Sequence, residues 1–303
     1  MKVFNPLRSA VALAGIAMFV ASGTAYAGTS DPVASTSAAN AVQVQLIRNA
    51  TVKIDFAGTT FLVDPMLSSK GTFPGFEGTY RSELRNPLVD LPFSADEVLK
   101  SVEAVVVTHT HTDHWDEAAQ QQIPKNMPVF VQNEVDAKTI RGQGFKDVRV
   151  LKGTTTFKGV KLSRTGGQHG SDLWFADPAR AEFMGPVMGV VFSAPKAKTV
   201  YVAGDTVWRP EVDQALKQHK PDVVILNTGS ALVTGFEEHP IIMGKQDTLQ
   251  AAKAAPKAAI MAVHMDSVNH MSLSRKELRE FVQATKIQDR VAIPEDGEAM
   301  TFQ

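Results

Sequence analysis

The segment Thr108-His109-Thr110-His111-Thr112-Asp113-His114 follows directly on Ala104-Val105-Val106-Val107, and this junction constrains the fold more than any other part of the chain. Four consecutive apolar residues, three of them β-branched, predict a strand buried on both faces. In an extended continuation, side chains two apart project to the same side, so His109 and His111 can converge on one metal ion. Asp113 and His114 are adjacent and predicted at a helix N-terminus, where they diverge toward a second site. The chain has eight histidines and no cysteine. Imidazole and carboxylate are therefore the available donors, a set suited to zinc and also to iron or manganese.

Further donors stand at comparable places. His169 lies in Thr165-Gly166-Gly167-Gln168-His169-Gly170, just after a predicted strand at 159–164. Asp205 lies in Ala203-Gly204-Asp205-Thr206 after a strand at 200–203, and His264 ends a strand at 259–264. Each is a lone polar residue at the C-terminal end of a predicted strand, where strand ends converge and sites form. Strands are also predicted at 42–46, 51–56, 61–63, 129–131, 148–150, 189–193 and 223–226, with a final strand pair near 290–303. Helices are predicted around 134–142, 210–218, 247–254 and 274–285, the last start marked by the capping-box spacing of Ser274 and Glu277. Strands grouped at the front and alternating units later predict an α/β protein. Residues 66–93, with Phe73, Phe76 and Tyr80 on a polar background, lack periodicity and predict a functional or mobile loop.

His-x-His-x-Asp-His, a later His, Gly-Asp-Thr and a last His together resemble the metallo-β-lactamase superfamily, over nearly the whole chain beyond its leader. The resemblance implies a four-layer αβ/βα sandwich with two metals at the edge of two sheets. It implies that His109, His111 and His169 hold the first, that Asp113, His114 and His264 hold the second, and that Asp205 bridges them. Arg48-Asn49-Ala50-Thr51-Val52-Lys53-Ile54, leading to Leu62-Val63-Asp64-Pro65, is most similar to the branch of L-ascorbate-6-phosphate lactonase and N-acylphosphatidylethanolamine phospholipase D. That branch usually carries Gly-His-Ala where this chain has Arg48-Asn49-Ala50. Asp64 is expected to orient a ligand imidazole or to serve the structure.

The N-terminus reads as a secretory signal. Lys2 and Arg8 precede an apolar stretch at 10–21, and Ala25-Tyr26-Ala27 supplies a small-x-small cleavage site, so residues 1–27 are expected to be removed. The stretch is shorter than the roughly 20 residues that span a bilayer, so no membrane anchor is expected after cleavage. Residues 28–40 read as a flexible leader, and 41–303 as one hydrolase domain. Removing 1–27 takes away two positive charges and no negative ones from a chain of formal charge −1, which argues against nucleic acid as a partner. A periplasmic or secreted enzyme acting on a small molecule is expected.

Two divalent metals can bridge a water and lower its pKa toward about 7. The expected chemistry is attack by that hydroxide on a small ester, lactone or phosphodiester, with Asp113 orienting the nucleophile or taking its proton. His270 is a candidate proton donor to the leaving group or a partner that orients a metal ligand. His239 is a candidate to line the site, and His219 reads as solvated surface. Residues 172–175, 183–186 and 66–93 are candidate substrate walls. An iron-dependent oxidoreductase and a non-catalytic metal-binding protein are the alternatives on the same donor set.

Overall fold

The computed structural model describes residues 2–4 and 41–303. The predicted signal segment and leader lie outside these, apart from Lys2–Phe4. That short strand, β1, pairs in parallel with the C-terminal strand. No helix among the described residues is long and apolar enough to cross a membrane.

The first half of the chain builds one sheet. β2 (Val42–Arg48), β3 (Thr51–Phe56) and β4 (Thr59–Val63) run antiparallel, and β5 (Ala104–Val107), β6 (Val129–Val131) and β7 (Val148–Val150) then add in parallel. The second half builds the other sheet from β8 (Thr154–Phe157), β9 (Val160–Thr165), β10 (Gly189–Ser193), β11 (Val200–Val202), β12 (Val223–Asn227), β13 (Ala259–Val263) and β14 (Val291–Ala292). The last strand, β15 (Ala299–Phe302), returns to the first sheet. The two orders are β1-β15-β2-β3-β4-β5-β6-β7 and β14-β13-β12-β11-β10-β9-β8.

Side-chain alternation along the strands makes the layers. Ala104 and Val106 of β5 face the opposite sheet, while Val105 and Val107 face the helices α1 (Ala95–Leu99), α2 (Glu117–Gln122) and α3 (Glu134–Gly142). In the second sheet Val190, Val200, Val202, Val223, Ile225 and Met261 point inward. Val191, Tyr201, Val224, Leu226 and Ile260 point out to α6 (Pro210–His219), α7 (Lys245–Ala254) and α8 (Arg275–Ala284). Between the sheets Phe61 stacks edge-on against Phe192 and Phe157, with ring centroids 5.1 and 6.1 Å apart, an arrangement that aromatic quadrupoles favour. The result is the expected four-layer αβ/βα sandwich.

Three sequence expectations need correction. The strands near 290–303 do not pair with each other: β14 closes one sheet and β15 joins the other. β14 is only two residues long, so the chain leaves its sheet at once and crosses to the first. The helix expected to begin at Asp113-His114 starts later, at Glu117, because Asp116 is its cap and accepts from the Ala119 N–H at 2.8 Å. The histidine segment is instead a tight turn, in which His114 and Trp115 both donate to the His111 carbonyl at 2.9 Å. Two further short helices, α4 (Asp172–Phe175) and α5 (Pro178–Met184), stand where only a loop was expected.

The 66–93 segment is anchored on both sides. Arg48, fully buried, donates to the carbonyls of Met66, Ser68 and Val89 at 3.0, 2.8 and 2.9 Å. Burial lowers its pKa to about 10, against the raising influence of Asp116, Asp296 and Asp90. Asn269, also fully buried, accepts from the Phe76 N–H at 3.0 Å and the Asn86 amide at 2.7 Å, and donates to Thr79 Oγ1 and the Tyr80 carbonyl. All four of its side-chain hydrogen-bonding positions are used.

Gly229, just after β12, sits against the other strand end that forms the site: a Cβ there would lie 2.2 Å from the His264 carbonyl oxygen and from Met271 Sδ. Gly229→Ala should cost about 1–3 kcal/mol through overpacking, seen as a lower Tm of about 2–4 °C per kcal/mol in a chain this size. An unchanged melting curve would mean that this contact yields freely.

Candidate metal centre

The donors gather at one edge of the sandwich, where C-terminal strand ends of both sheets meet. His109, His111, Asp113 and His114 follow β5 of the first sheet, whereas His169, Asp205 and His264 follow β9, β11 and β13 of the second. His264 takes a left-handed backbone, φ 64°, immediately after its strand, which turns its imidazole toward the first sheet rather than along β13. All seven predicted metal residues are brought together.

They divide into two groups, each with its donor atoms within 4.8 Å of one another: His109, His111 and His169, and Asp113, His114, Asp205 and His264. In the first, His109 Nε2 and His111 Nδ1 are 3.0 Å apart. In the second, His114 Nε2 lies 3.1 Å from both Asp205 Oδ2 and His264 Nε2, and Asp113 Oδ2 is 3.4 Å from His264 Nε2. Bonds of about 2.0–2.1 Å to a common ion would separate tetrahedral ligand atoms by about 3.3 Å, and these spacings fit such a set. Asp205 Oδ2 also reaches His169 Nε2 at 3.3 Å, so one oxygen touches both groups. His111 is partly exposed while the other six are buried, which places the opening beside it.

The remaining polar atoms of most ligands are held. Asp64 accepts from Thr108 N–H and hydroxyl at 2.7 Å and faces His114 Nδ1 at 2.9 Å, the imidazole-orienting role expected of it. The Ile241 carbonyl faces His169 Nδ1 at 2.9 Å, Thr108 Oγ1 faces His109 Nδ1 at 3.2 Å, and Asn227 donates to Asp205 Oδ1 at 2.6 Å. Asn227 and Ile241 carried no sequence signal for this role, since a strand-end amide and a loop carbonyl look like any other.

Charge states suit a cation. Burial pushes the His109, His111 and His169 imidazoles down, His111 to about 4, so all three are neutral ligands at neutral pH. His114 goes the other way: burial opposes its charge, but Asp205, Asp113 and Asp64 outweigh it and hold the pKa well above the ordinary value. Burial likewise opposes charge on Asp113 and Asp205, but the neighbouring His114 and His264 keep both below the usual carboxylate range. The metal-free protein thus keeps a proton on His114 as a stand-in for a positive ion.

Other predicted residues divide. His270 is buried, its Nε2 4.0 Å from Asp113 Oδ2, its ring edge-on to Phe76 at 5.0 Å, and burial lowers its pKa to about 4. It belongs to the site without joining either donor group. His239 is exposed and belongs to neither donor group. The expected substrate walls meet one another: Trp174 and Met184 pack with Met66, Ile241, Ile242, Val268 and Met271, and Phe73, Phe76, Phe175 and Phe236 cover them. Leu173 and Phe183, at 53% and 77% exposure, face away from that cluster.

Comparison with known proteins follows the same lines. Residues 59–265 match the model of the β-lactamase superfamily domain. The chain is 44% identical to UPF0173 protein YddR of Bacillus subtilis over 261 residues, 86% of this chain and all of that one. The crystal structure of a possible metal-dependent hydrolase from Veillonella parvula is 50% identical, with a TM-score of 0.84 over 85% of this chain and 98% of that one. That of isothiocyanate hydrolase from Delia radicum gut bacteria is 48% identical, with a TM-score of 0.82 over the same shares.

A metal on His114 requires the neutral ring, so loading at pH 7 should release protons, and affinity should rise with pH until the raised His114 pKa is passed. Calorimetry of the metal-free protein in buffers of different protonation enthalpy measures the count. Zero release would contradict the charge assignment. The same raised pKa means that the His114–carboxylate cluster stabilises the metal-free fold fully below the unfolded imidazole pKa, about 6.5, and loses that contribution as pH rises through the folded value.

Proposed function

The chain belongs to the metallo-β-lactamase superfamily as a UPF0173 metal-dependent hydrolase, and from that premise we propose a two-metal enzyme that adds water to an electrophilic centre of a small molecule with an apolar substituent. The observation that carries the reading is the shared Asp205 oxygen, 3.3 Å from His169 in one donor group and 3.1 Å from His114 in the other. Two divalent ions supply Lewis acidity and a water of lowered pKa when bound, zinc first by donor type, with manganese or iron able to take the same set.

The chain's own residues supply the rest. Asp113 Oδ2, facing His264 and His270, orients the attacking water and accepts its proton. His270, neutral and behind Asp113, donates a hydrogen bond to the atom that gains charge as the bond breaks. The apolar cluster of Met66, Trp174, Ile241 and Phe76 beside these groups excludes bulk water and favours an uncharged substituent.

An isothiocyanate, R–N=C=S, is the first substrate class, supported by the 48% identical relative of that name and by the fit of a small electrophile on an apolar group. Water oxygen bonds to the central carbon, the C=N π pair moves to nitrogen, and nitrogen takes a proton, giving R–NH–C(=S)–OH; its O–H proton passes to sulfur as the C=O bond forms and the C=S π pair moves to sulfur, giving R–NH–C(=O)–SH. Cleavage of its C–N bond, with the thiol proton passing to nitrogen, releases R–NH2 and carbonyl sulfide. Small esters, lactones and phosphodiesters form the second class, in keeping with the lactonase and phospholipase D resemblance. The leader at 1–27 supports action in the periplasm or outside the cell.

Purified residues 28–303, loaded with metal, should turn over an aryl- or alkyl-substituted isothiocyanate, while Asp113→Ala should lose at least about 10²-fold in kcat yet keep its melting temperature within a few degrees. His270→Gln should lower kcat with metal content intact. Turnover confined to a lactone, ester or phosphodiester would replace the substrate class and keep the two-metal hydrolase. Two tightly bound metals with no hydrolysis across the panel would shift the reading to oxygen chemistry, and no bound metal would sink it.

A further inference from the structure

The geometry points to Asn49 as the positioning residue that sets the affinity of the second metal position, the one formed by Asp113, His114 and His264 with Asp205; this rests on the two-metal reading above. Two of those ligands, Asp113 and His264, come from different sheets and are 151 residues apart in number, and Asn49 is tied to both. Its side-chain Nδ2 donates to the Asp113 carbonyl at 2.9 Å, and its own carbonyl accepts from the His264 N–H at 2.9 Å. No exposed surface remains on it.

The backbone explains how one residue reaches both. Arg48 pairs with Thr51 across the β2–β3 hairpin, so Asn49 and Ala50 form its two-residue tip. Asn49 takes φ 61° there, a left-handed conformation that asparagine tolerates far better than most residues. That turn directs the amide toward the β5 turn and the carbonyl toward the end of β13. The hairpin tip is therefore a wedge between the strand ends of the two sheets.

His264 depends on this contact more than its partners do. An imidazole that ligates through Nε2 carries its proton on Nδ1, and an acceptor there normally fixes the ring. His114 has Asp64 for this purpose and His169 has the Ile241 carbonyl. Among the described residues His264 Nδ1 is buried with no partner, so its placement rests on its backbone, which the Asn49 carbonyl holds through the His264 N–H. The first group is held by other residues, through Thr108 and Ile241. Loss of the Asn49 amide leaves the carbonyl that holds His264 but frees the Asp113 carbonyl, so it should reach the second position and spare the first.

Asn49→Gly keeps the left-handed backbone and the carbonyl that holds His264, and removes only the amide. Stepwise zinc titration of the metal-free protein against a chromophoric chelator gives both affinities. The wild type should bind two equivalents. In Asn49→Gly the first should be unchanged and the second weaker by about 10–100-fold, the usual cost of losing a residue that orients a ligand. Asn49→Ser, with a shorter donor, should fall between the two and is read in the same way if the glycine variant does not fold. Equal weakening of both equivalents, or an unaltered second one in a folded variant, would overturn the role of Asn49. A wild type that takes up a single equivalent would overturn the two-metal reading and this inference with it, so the wild-type count tells the two failures apart.

Discussion

Asp205 Oδ2 stands 3.1, 3.3 and 3.5 Å from the ring nitrogens of His114, His169 and His264. Burying a carboxylate among imidazoles is costly unless positive charge is supplied, and here it comes from a protonated His114 or from a metal ion. The surrounding structure satisfies what is left. Asn227 takes the other oxygen of Asp205, and Asp64 takes the other nitrogen of His114. This single carboxylate links the two sheets electrostatically at the edge where the apolar core between them ends.

The sandwich and its site were legible in the sequence to different depths. The buried run Ala104–Val107 and the alternate histidines after it announce a strand end with converging side chains, because a period of two is a local property of an extended chain. His169, Asp205 and His264 could be picked out as lone polar residues at strand ends. The turn at Asp113-His114 was misplaced as a helix start because the real cap, Asp116, is another acidic residue in the same short stretch. Helices α4 and α5, of four and seven residues, are too short to show a face.

What the sequence hid is the set of neutral amides. Asn49, Asn86, Asn227 and Asn269 are all buried, and of these only Asn49 lies in a stretch that the resemblance singles out, where it stands in the place of a histidine. Their partners lie far along the chain, 183 residues away in the case of Asn86 and Asn269. Spacing carries no information about such pairs. Asn86 and Asn269 nonetheless decide how the apolar strap at 66–93 lies beside the donor groups, since Asn269 is next in sequence to His270 and holds the Phe76 N–H that brings the ring beside it.

The separation of the ligands along the chain has a consequence for how the molecule comes to be. His114 and His264 are 150 residues apart and belong to different sheets. A growing chain that has emerged only through β7 offers His109, His111, Asp113 and His114, an incomplete set. The complete set appears only when the second sheet has formed and closed on the first. Contacts of such high sequence separation are assembled late because the loop they close must first be constrained. The complete donor set is therefore a property of the finished sandwich and of no smaller part of it.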